Sequence, residues 1–240
     1  MLPDYAKSII IAGKRWTEGI RVLLSLIGMS GSGKSYWAEK LSRRGFRRFC
    51  LDSLIAQRLS ANLQREDGSL MTLGEWMGFP FQEGYQGRED LYLAAEKQLM
   101  AEVLDWIEEN ACAGSDENVV VDTTGSVIYV GKDLIDRLRS LTSIVNFTFP
   151  TVVREAMLRQ YISNPQPVLW RGFFKLEHGE SVEDALFRCY HELLDSREIA
   201  YRKMADIEID YFTRNSPIFR IADLLEIISK PVKKYCCAAR

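Results

Sequence analysis

The sequence predicts an α/β fold in which helices cover both faces of a five-stranded parallel sheet. Short apolar runs alternate with stretches of helical periodicity along most of the 240 residues. The runs are apolar throughout, as expected of strands that are buried on both faces of a parallel sheet. A glycine-rich turn joins the first apolar run to the first helical stretch. These three observations together favour three layers, helix–sheet–helix.

The glycine-rich turn has the form G-x-x-x-x-G-K-S and runs from Gly28 to Ser35. Its position between a strand and a helix is the context that a phosphate-binding loop requires, and it predicts the P-loop NTPase fold. Lys34 is expected to reach the β- and γ-phosphates of ATP, and the Ser35 hydroxyl to hold Mg²⁺. The residues expected to bind the nucleotide are Gly28, Ser30, Gly31, Ser32, Gly33, Lys34, Ser35 and Tyr36.

The remaining elements follow from the apolar pattern. Predicted strands span residues 21–27, 47–51, 119–121, 144–149 and 207–211, and predicted helices span 35–44, 53–63, 89–110, 151–161, 182–204 and 218–228. Two irregular segments interrupt the alternation, and long irregular segments in a compact domain are usually functional. We expect residues 62–90 to form a substrate-binding insertion and residues 163–179 a lid. Residues 1–20 and 231–240 are expected to be an extension and a tail flanking one domain, 21–230.

Two of the predicted strands end at a carboxylate, the second at Asp52 and the third at Asp122. Ligands of open parallel sheets bind beyond the carboxyl ends of the strands. Asp52 is therefore expected to act as a general base beside the substrate, with capping of the next helix as the alternative. Asp122 is expected in the Mg²⁺ shell, or again as a cap.

The amino-acid composition limits which classes of partner the protein is expected to bind. Hydrophobic residues make up 47% and charged residues 27%, and the net charge of −2 indicates no general attraction to nucleic acid or to a membrane surface. Five cysteines without C-x-x-C pairs favour free thiols in a reducing compartment. We expect a cytoplasmic monomer or weak dimer; an organelle stroma would require that a transit peptide has been removed.

The motif order resembles small-molecule kinases of the nucleoside-monophosphate-kinase type, and above all the shikimate kinase family, from Arg21 to Ser229. Residues 84–89, Gly-Tyr-Gln-Gly-Arg-Glu, are similar to that family's G-F-R-x-R-E, and residues 197–201 are similar to its R-x-x-x-Y. The resemblance implies transfer of a phosphoryl group from ATP, with Mg²⁺, to a small hydroxylated substrate.

The resemblance also implies individual roles. It places Asp52 at the substrate hydroxyls, Arg197 at a substrate carboxylate and Gly125 in a segment that approaches the substrate. Arg159 falls where an arginine packs on adenine.

The sequence departs from the family on the acceptor side. Gln86 stands where the family has an arginine that clamps the carboxylate, and Gln86 and the nearby Arg88 are expected to contact the substrate. Gln166 replaces a lid arginine, so Arg171 is expected to act in its place as a catalytic residue beside Lys34 and Asp52. These departures leave three functions open: a kinase with an altered acceptor site, a non-catalytic nucleotide-binding regulatory protein, or a nucleoside-monophosphate kinase. The last is disfavoured because residues 163–179 contain a single arginine.

Overall fold

A five-stranded parallel sheet forms the centre of the computed structural model, which describes residues 10–11, 14–15 and 21–229. The strands are β1 (Leu23–Ile27), β2 (Arg47–Cys50), β3 (Val119–Asp122), β4 (Ser143–Phe147) and β5 (Ile207–Ile209). Their order across the sheet is β2-β3-β1-β4-β5, and every neighbouring pair is parallel. The predicted strand number and orientation are confirmed. Ile10–Ile11 and Lys14–Arg15 form a separate antiparallel pair.

Helices connect the strands and cover the sheet. They are α1 (Lys34–Ser42), α2 (Leu51–Arg58), α3 (Leu73–Met77), α4 (Tyr85–Cys112), α5 (Lys132–Leu141), α6 (Arg154–Ser163), α7 (Val182–Met204), α8 (Tyr211–Asn215) and α9 (Ile221–Ser229). Short 3₁₀ turns occur at Ser60–Leu63, Val127–Tyr129 and Thr151–Val153. None of the described helices is both long enough and apolar enough to span a membrane.

Alternate residues of β1 point to opposite faces of the sheet, and both faces are buried. Leu24 and Leu26 pack in one apolar cluster with residues of α1 and α9. Leu23 and Ile27 pack in a larger cluster with residues of α2, α4 and α7. Burying one such side chain stabilises the fold by about 1.5–3 kcal/mol. The helix–sheet–helix arrangement predicted from the apolar runs is thus confirmed.

The prediction that the second strand ends at Asp52 is wrong. β2 ends at Cys50 and α2 begins at Leu51, so Asp52 lies in the first turn of a helix. Leu51 and Ile55, four residues apart, are both buried, which is the spacing of a helix face. A carboxylate in the first turn is also favoured by the helix dipole.

Three helices, α3, α5 and α8, lie where the sequence predicted none. α3 lies inside the segment taken as irregular, and Thr72 and Glu75 form a capping box at its start. α5 carries Leu134, Ile135, Leu138 and Leu141 at helical spacing, a periodic signal that the sequence analysis did not use. α8 is five residues long and begins after Asp210, whose side chain caps it.

Residues 164–181 contain no helix or strand, in keeping with the irregular segment that was predicted. Its middle is nevertheless anchored, because Val168, Leu169 and Trp170 are buried in the large apolar cluster. Its function as a lid and the limits of the insertion and domain stay predictions.

Candidate active site

The phosphate-binding loop connects β1 to α1 across residues 28–33. Gly28, Gly31 and Gly33 have φ angles of 135°, 78° and 86°, which favour glycine. A Cβ atom on Gly28 would lie 2.8 Å from the carbonyl oxygen of Phe147, so no side chain fits there. The loop ends at the N-terminus of α1, where backbone N–H groups and the helix dipole favour an anion.

Lys34, the first residue of α1, is buried beneath this loop. Its ammonium group donates to the carbonyl oxygens of Gly28 and Met29, both at 2.9 Å. Burial lowers the pKa of Lys34, and the carboxylates of Asp52 and Asp122 counteract part of that decrease. Among the described residues, no carboxylate forms an ion pair with Lys34. Its charge is therefore available to a phosphate that enters the loop.

Four hydroxyl side chains on the loop and α1 fit a nucleotide phosphate and its metal. The Ser32 hydroxyl is buried and has no hydrogen-bond partner within the described part of the chain. Ser35 and Tyr36 are exposed at the start of α1, and Ser30 is half-buried. A buried, unpartnered hydroxyl costs stability, and a phosphate oxygen would satisfy it.

Asp122, at the end of β3, lies close enough to Lys34 to counteract part of the decrease in its pKa. Its Oδ2 accepts a hydrogen bond from Arg48 of β2 at 2.7 Å. Its Oδ1 is buried and has no partner among the described residues. No group of three His, Cys, Asp or Glu in residues 21–229 is arranged to hold a metal ion alone. The residues present therefore fit Mg²⁺ that takes most of its ligands from phosphates and water.

Asp52, in the first turn of α2, is held by a hydrogen bond from α4. The Tyr92 hydroxyl donates to Asp52 Oδ1 at 3.0 Å. Burial raises the pKa of Asp52, whereas the nearby charge of Lys34 lowers it. Asp52 and Lys34 thus interact electrostatically without a direct ion pair. A carboxylate in this environment is suited to accept a proton.

A second carboxyl group, Glu96, is fully buried one turn along α4 from Tyr92. It accepts hydrogen bonds from the hydroxyls of Thr124 and Ser126, the latter at 2.6 Å. Burial raises the pKa of Glu96 to about 7, and the charge of Asp52 acts in the same direction. Glu96 and Asp52 therefore form an acidic pair on either side of Tyr92.

Arg197, in α7, is buried. Its two terminal nitrogens donate to the carbonyl oxygens of Gly125, at 3.1 Å, and Leu169, at 2.5 Å. The Tyr201 hydroxyl donates to the same Gly125 oxygen. A Cβ atom on Gly125 would lie 3.0 Å from the backbone nitrogen of Ser30. Arg197 therefore fixes a segment that contacts the phosphate-binding loop.

Arg171 is ion-paired to α4. Its Nη1 lies 3.0 Å from Asp90 Oδ1 and 3.3 Å from Glu89 Oε2, and its backbone N–H donates to Glu89 Oε1 at 2.8 Å. Among the described residues other than glycine, Arg171 is the one that has a positive φ angle, 49°. The Gln86 amide donates to the same two carboxylates, at 3.1 and 3.2 Å. Glu89 and Asp90 therefore organise this part of the irregular segment.

The Arg88 side chain donates hydrogen bonds to backbone carbonyl groups. Its Nε donates to the carbonyl oxygen of Met77 and its Nη1 to that of Glu83, at 3.0 and 3.1 Å. These carbonyls belong to the end of α3 and the turn that follows it. Arg88 thus stabilises the insertion, and its predicted contact with a substrate stays a prediction.

Two cavities flank the phosphate-binding loop, and Arg214 lines both. One, of about 720 Å³, is bounded by Gly33, Tyr36 and Pro217; the other, of about 590 Å³, by Ser30, Gly31 and Tyr161. Either is large enough for part of a nucleotide.

Arg159 does not line these two cavities. Its side chain is 81% exposed and lies 3.5 Å from Glu155 on the same helix. Its expected contact with adenine remains untested.

Arg214 is a site residue that the sequence analysis missed. It is buried, and its Nε donates to the carbonyl oxygen of Ser32 at 3.1 Å. Its guanidinium lies over the rings of Phe147, Phe149 and Tyr211, 4.9–5.5 Å from their centroids. Burial lowers the pKa of Arg214 to about 10. The only sequence signal was an arginine in an aromatic-rich stretch after a strand.

The central sheet, the loop and the helix that follows it define the class: this is a P-loop kinase fold. The model of the AAA domain family matches residues 23–166, more than half of the chain. The chain therefore belongs to the AAA domain family, and membership of a P-loop domain implies nucleotide binding. No curated protein matches the chain.

Solved structures with the same fold include three kinases of low sequence identity. Shikimate kinase from Bacteroides thetaiotaomicron is 16% identical, with a TM-score of 0.55, over 87% of this chain and 97% of its own. Shikimate kinase from Acinetobacter baumannii, solved with shikimate, is 17% identical, with a TM-score of 0.53, over 89% and 96%. Dephospho-CoA kinase from Campylobacter jejuni is 16% identical, with a TM-score of 0.51, over 85% and 94%. The predicted resemblance to shikimate kinase is confirmed at the level of the fold.

Proposed function

We propose that this protein is a kinase that transfers the γ-phosphoryl group of ATP, with Mg²⁺, to a hydroxyl group of a small molecule. The observation that carries the proposal is the placement of Asp52. This carboxylate is held by Tyr92, interacts with the charge of Lys34 and forms no ion pair among the described residues. A P-loop lysine with a desolvated carboxylate nearby supplies a phosphate site and a base in one place.

Each of the site residues has a separate role in the proposed reaction. Backbone N–H groups of residues 28–33 and the Lys34 ammonium bind the phosphates. The Ser35 hydroxyl and the free oxygen of Asp122 hold Mg²⁺, which when bound neutralises charge on the phosphate oxygens. Asp52 accepts the proton of the acceptor hydroxyl as that oxygen attacks the γ-phosphorus, and ADP leaves.

Arg171 is proposed as a cation that reaches the phosphoryl oxygens from the irregular segment at residues 163–179. This role requires that it leave Glu89 and Asp90, to which it is ion-paired. The contact with the exposed Asp90 costs about 1 kcal/mol or less to break. The contact with the fully buried Glu89 costs several kcal/mol, because it leaves a desolvated carboxylate without its cation. We propose Arg159 as a contact for the adenine base from α6, because its exposed side chain can turn toward the loop.

The solved structures of the same fold are named as kinases of shikimate and of dephospho-CoA. Their names support a small-molecule acceptor for this chain over a nucleic acid or a membrane. We accordingly propose that residues 62–90 contact the acceptor and that residues 163–179 close over the site.

A regulatory protein that binds nucleotide without catalysis is the second candidate. It is favoured by the ion pair that withholds Arg171 from the loop and by Gln86, which replaces a clamping arginine. The two candidates differ in one measurable property: only the kinase consumes ATP in proportion to added acceptor.

Isothermal titration with ATP and Mg²⁺ tests the nucleotide site. Lys34→Ala removes a buried ammonium group aimed at the phosphates, and hydrogen bonds to charged groups contribute about 1.5–3 kcal/mol each. We expect binding to weaken at least about tenfold. Lys132→Ala, on α5 with a side chain that is 86% exposed, is the matched control and should bind normally. Equal affinity of Lys34→Ala and the control would refute the site.

Acceptor use is tested by ATP consumption over a panel of shikimate, gluconate, nucleoside monophosphates and neutral polyols. The kinase proposal expects consumption that rises with one class of acceptor and disappears in Lys34→Ala. Nucleotide binding without acceptor-dependent consumption would favour the regulatory candidate.

A further inference from the structure

We call the region around Asp52, Tyr92 and Glu96 the acceptor side of the loop. The arginines on this side all form hydrogen bonds or ion pairs within the protein. Arg88 donates to two backbone carbonyls, and Arg171 is paired with Glu89 and Asp90. Arg197 uses both terminal nitrogens on backbone carbonyls. Recognition of a carboxylate by arginine normally takes two parallel N–H donors of one guanidinium. The described residues offer no guanidinium on this side with both terminal nitrogens unoccupied.

The same side is rich in carboxyl groups. Glu89 and Glu96 are fully buried, on one face of α4 with Tyr92 between them. Asp52 lies across from Tyr92, and Asp90 lies at the outer edge. Four carboxyl groups therefore share this side with three guanidinium groups, those of Arg88, Arg171 and Arg197, and with the ammonium group of Lys34 near Asp52. Because this side is largely desolvated, charge interactions there are strong.

An acceptor must place its reacting hydroxyl within hydrogen-bond distance of Asp52. Any carboxylate on a molecule of sugar size would then lie within several ångströms of Asp52 and Glu96. Position 86, at the edge of this side, holds an uncharged residue: the Gln86 amide is bonded to Glu89 and Asp90 and cannot offset that repulsion. The hydroxyls of Thr124 and Ser126 add polar groups without charge.

We infer that the acceptor is an uncharged or cationic polyhydroxy compound, such as a neutral polyol or an amino sugar, and not a hydroxy acid. The inference rests on the proposed function, because it concerns the acceptor of the same phosphoryl transfer. The guanidinium of Arg197 is buried and donates to the carbonyl oxygens of Gly125 and Leu169, so it is not free to pair with a carboxylate of the acceptor.

The test uses acceptor pairs in which a neutral group replaces a carboxylate on the same skeleton: shikimate and its methyl ester, gluconate and glucitol, glucuronate and glucose. Glucosamine is added as a cationic sugar. The full-length protein is assayed for acceptor-dependent ATP consumption, and kcat/KM is compared within each pair. We expect the neutral member of the pair that is used to exceed its carboxylate partner at least about tenfold, since about 1.4 kcal/mol corresponds to a factor of ten. Higher kcat/KM for the carboxylate member would overturn the inference and leave the kinase proposal intact. Absence of acceptor-dependent consumption in all pairs would overturn the kinase proposal, and the inference with it.

A variant with an added positive charge tests whether electrostatic repulsion causes the preference for uncharged or cationic acceptors. Gln86→Arg adds a cation at an exposed position on α4, so folding is not at risk. We expect it to shift the kcat/KM ratio several-fold toward the carboxylate member of each pair. Ser140→Arg adds the same charge at an exposed position on α5, outside residues 62–90 and 163–179, and should leave the ratio unchanged. An unchanged ratio in Gln86→Arg, with unfolding midpoints equal to the wild type, would contradict the electrostatic explanation.

Discussion

Glu96 shows what a single buried carboxyl group contributes to this site. It accepts two hydroxyl hydrogen bonds but has no cationic partner in direct contact among the described residues. Desolvation of such a group disfavours its charged form. The native state therefore holds a proton on Glu96 up to higher pH than the unfolded chain does.

This proton makes stability depend on pH. The pKa of Glu96 is raised from 4.5 to about 7, so between these values the native state binds a proton that the unfolded chain has released. The free energy of unfolding should fall by roughly 3 kcal/mol as pH rises through this interval. Glu96→Gln should lack this decrease and be more stable than the wild type at pH 8. Urea denaturation at pH 5, 6, 7 and 8 measures both.

Glu109→Gln is the matched control, because Glu109 is exposed on the same helix. It should keep the wild-type slope of stability against pH. If Glu96→Gln shows that slope as well, Glu96 is not the group that titrates.

At the residue level, sequence reasoning succeeded where function is encoded locally. Gly28 to Ser35 was predicted because one continuous motif carries the loop. Glu96 and Arg214 were missed because their importance comes from burial, which depends on distant parts of the chain. A glutamate within the apolar stripe of α4 was the available signal: Glu96 lies on the same buried face as Tyr92 and Met100.

At the level of elements, the irregular segment at residues 163–179 combines an anchored middle with exposed ends. Trp170 is 1% exposed; its Nε1 donates to the Tyr161 hydroxyl at 3.1 Å, and its ring contacts Phe174 and Tyr190. The aromatic anchor links the segment to α6 and α7. Any closing motion must therefore occur on either side of Trp170.

Trp170→Ala tests this anchor. Loss of a fully buried tryptophan should reduce the free energy of unfolding by about 3–5 kcal/mol. Leu176→Ala, in the same segment at a side chain that is 54% exposed, should change it by about 0.5 kcal/mol or less. Chemical denaturation distinguishes the two. Similar small losses for both variants would mean that the segment is not anchored in the core.

At the scale of the whole molecule, the sheet could be predicted because its strands are apolar on both faces. Val119–Val121 and the run before Gly28 pair with each other at the centre of the sheet. The acceptor side could not be predicted as reliably, because it combines side chains from α2, α4, the segment around Gly125 and α7. Arg171 illustrates the limit: its sequence position predicted a free cation, whereas packing pairs it with Glu89 and Asp90.

The most direct test of the account compares Asp52→Asn with the wild type in acceptor-dependent ATP consumption, using the acceptor that the paired panel identifies. Removal of a general base lowers kcat by about 10²–10⁴. We expect a loss in this range with the affinity for ATP and Mg²⁺ unchanged, and a normal rate for the control Asp133→Asn on α5. Turnover by Asp52→Asn at the wild-type rate would contradict the central claim that Asp52 accepts the proton during phosphoryl transfer.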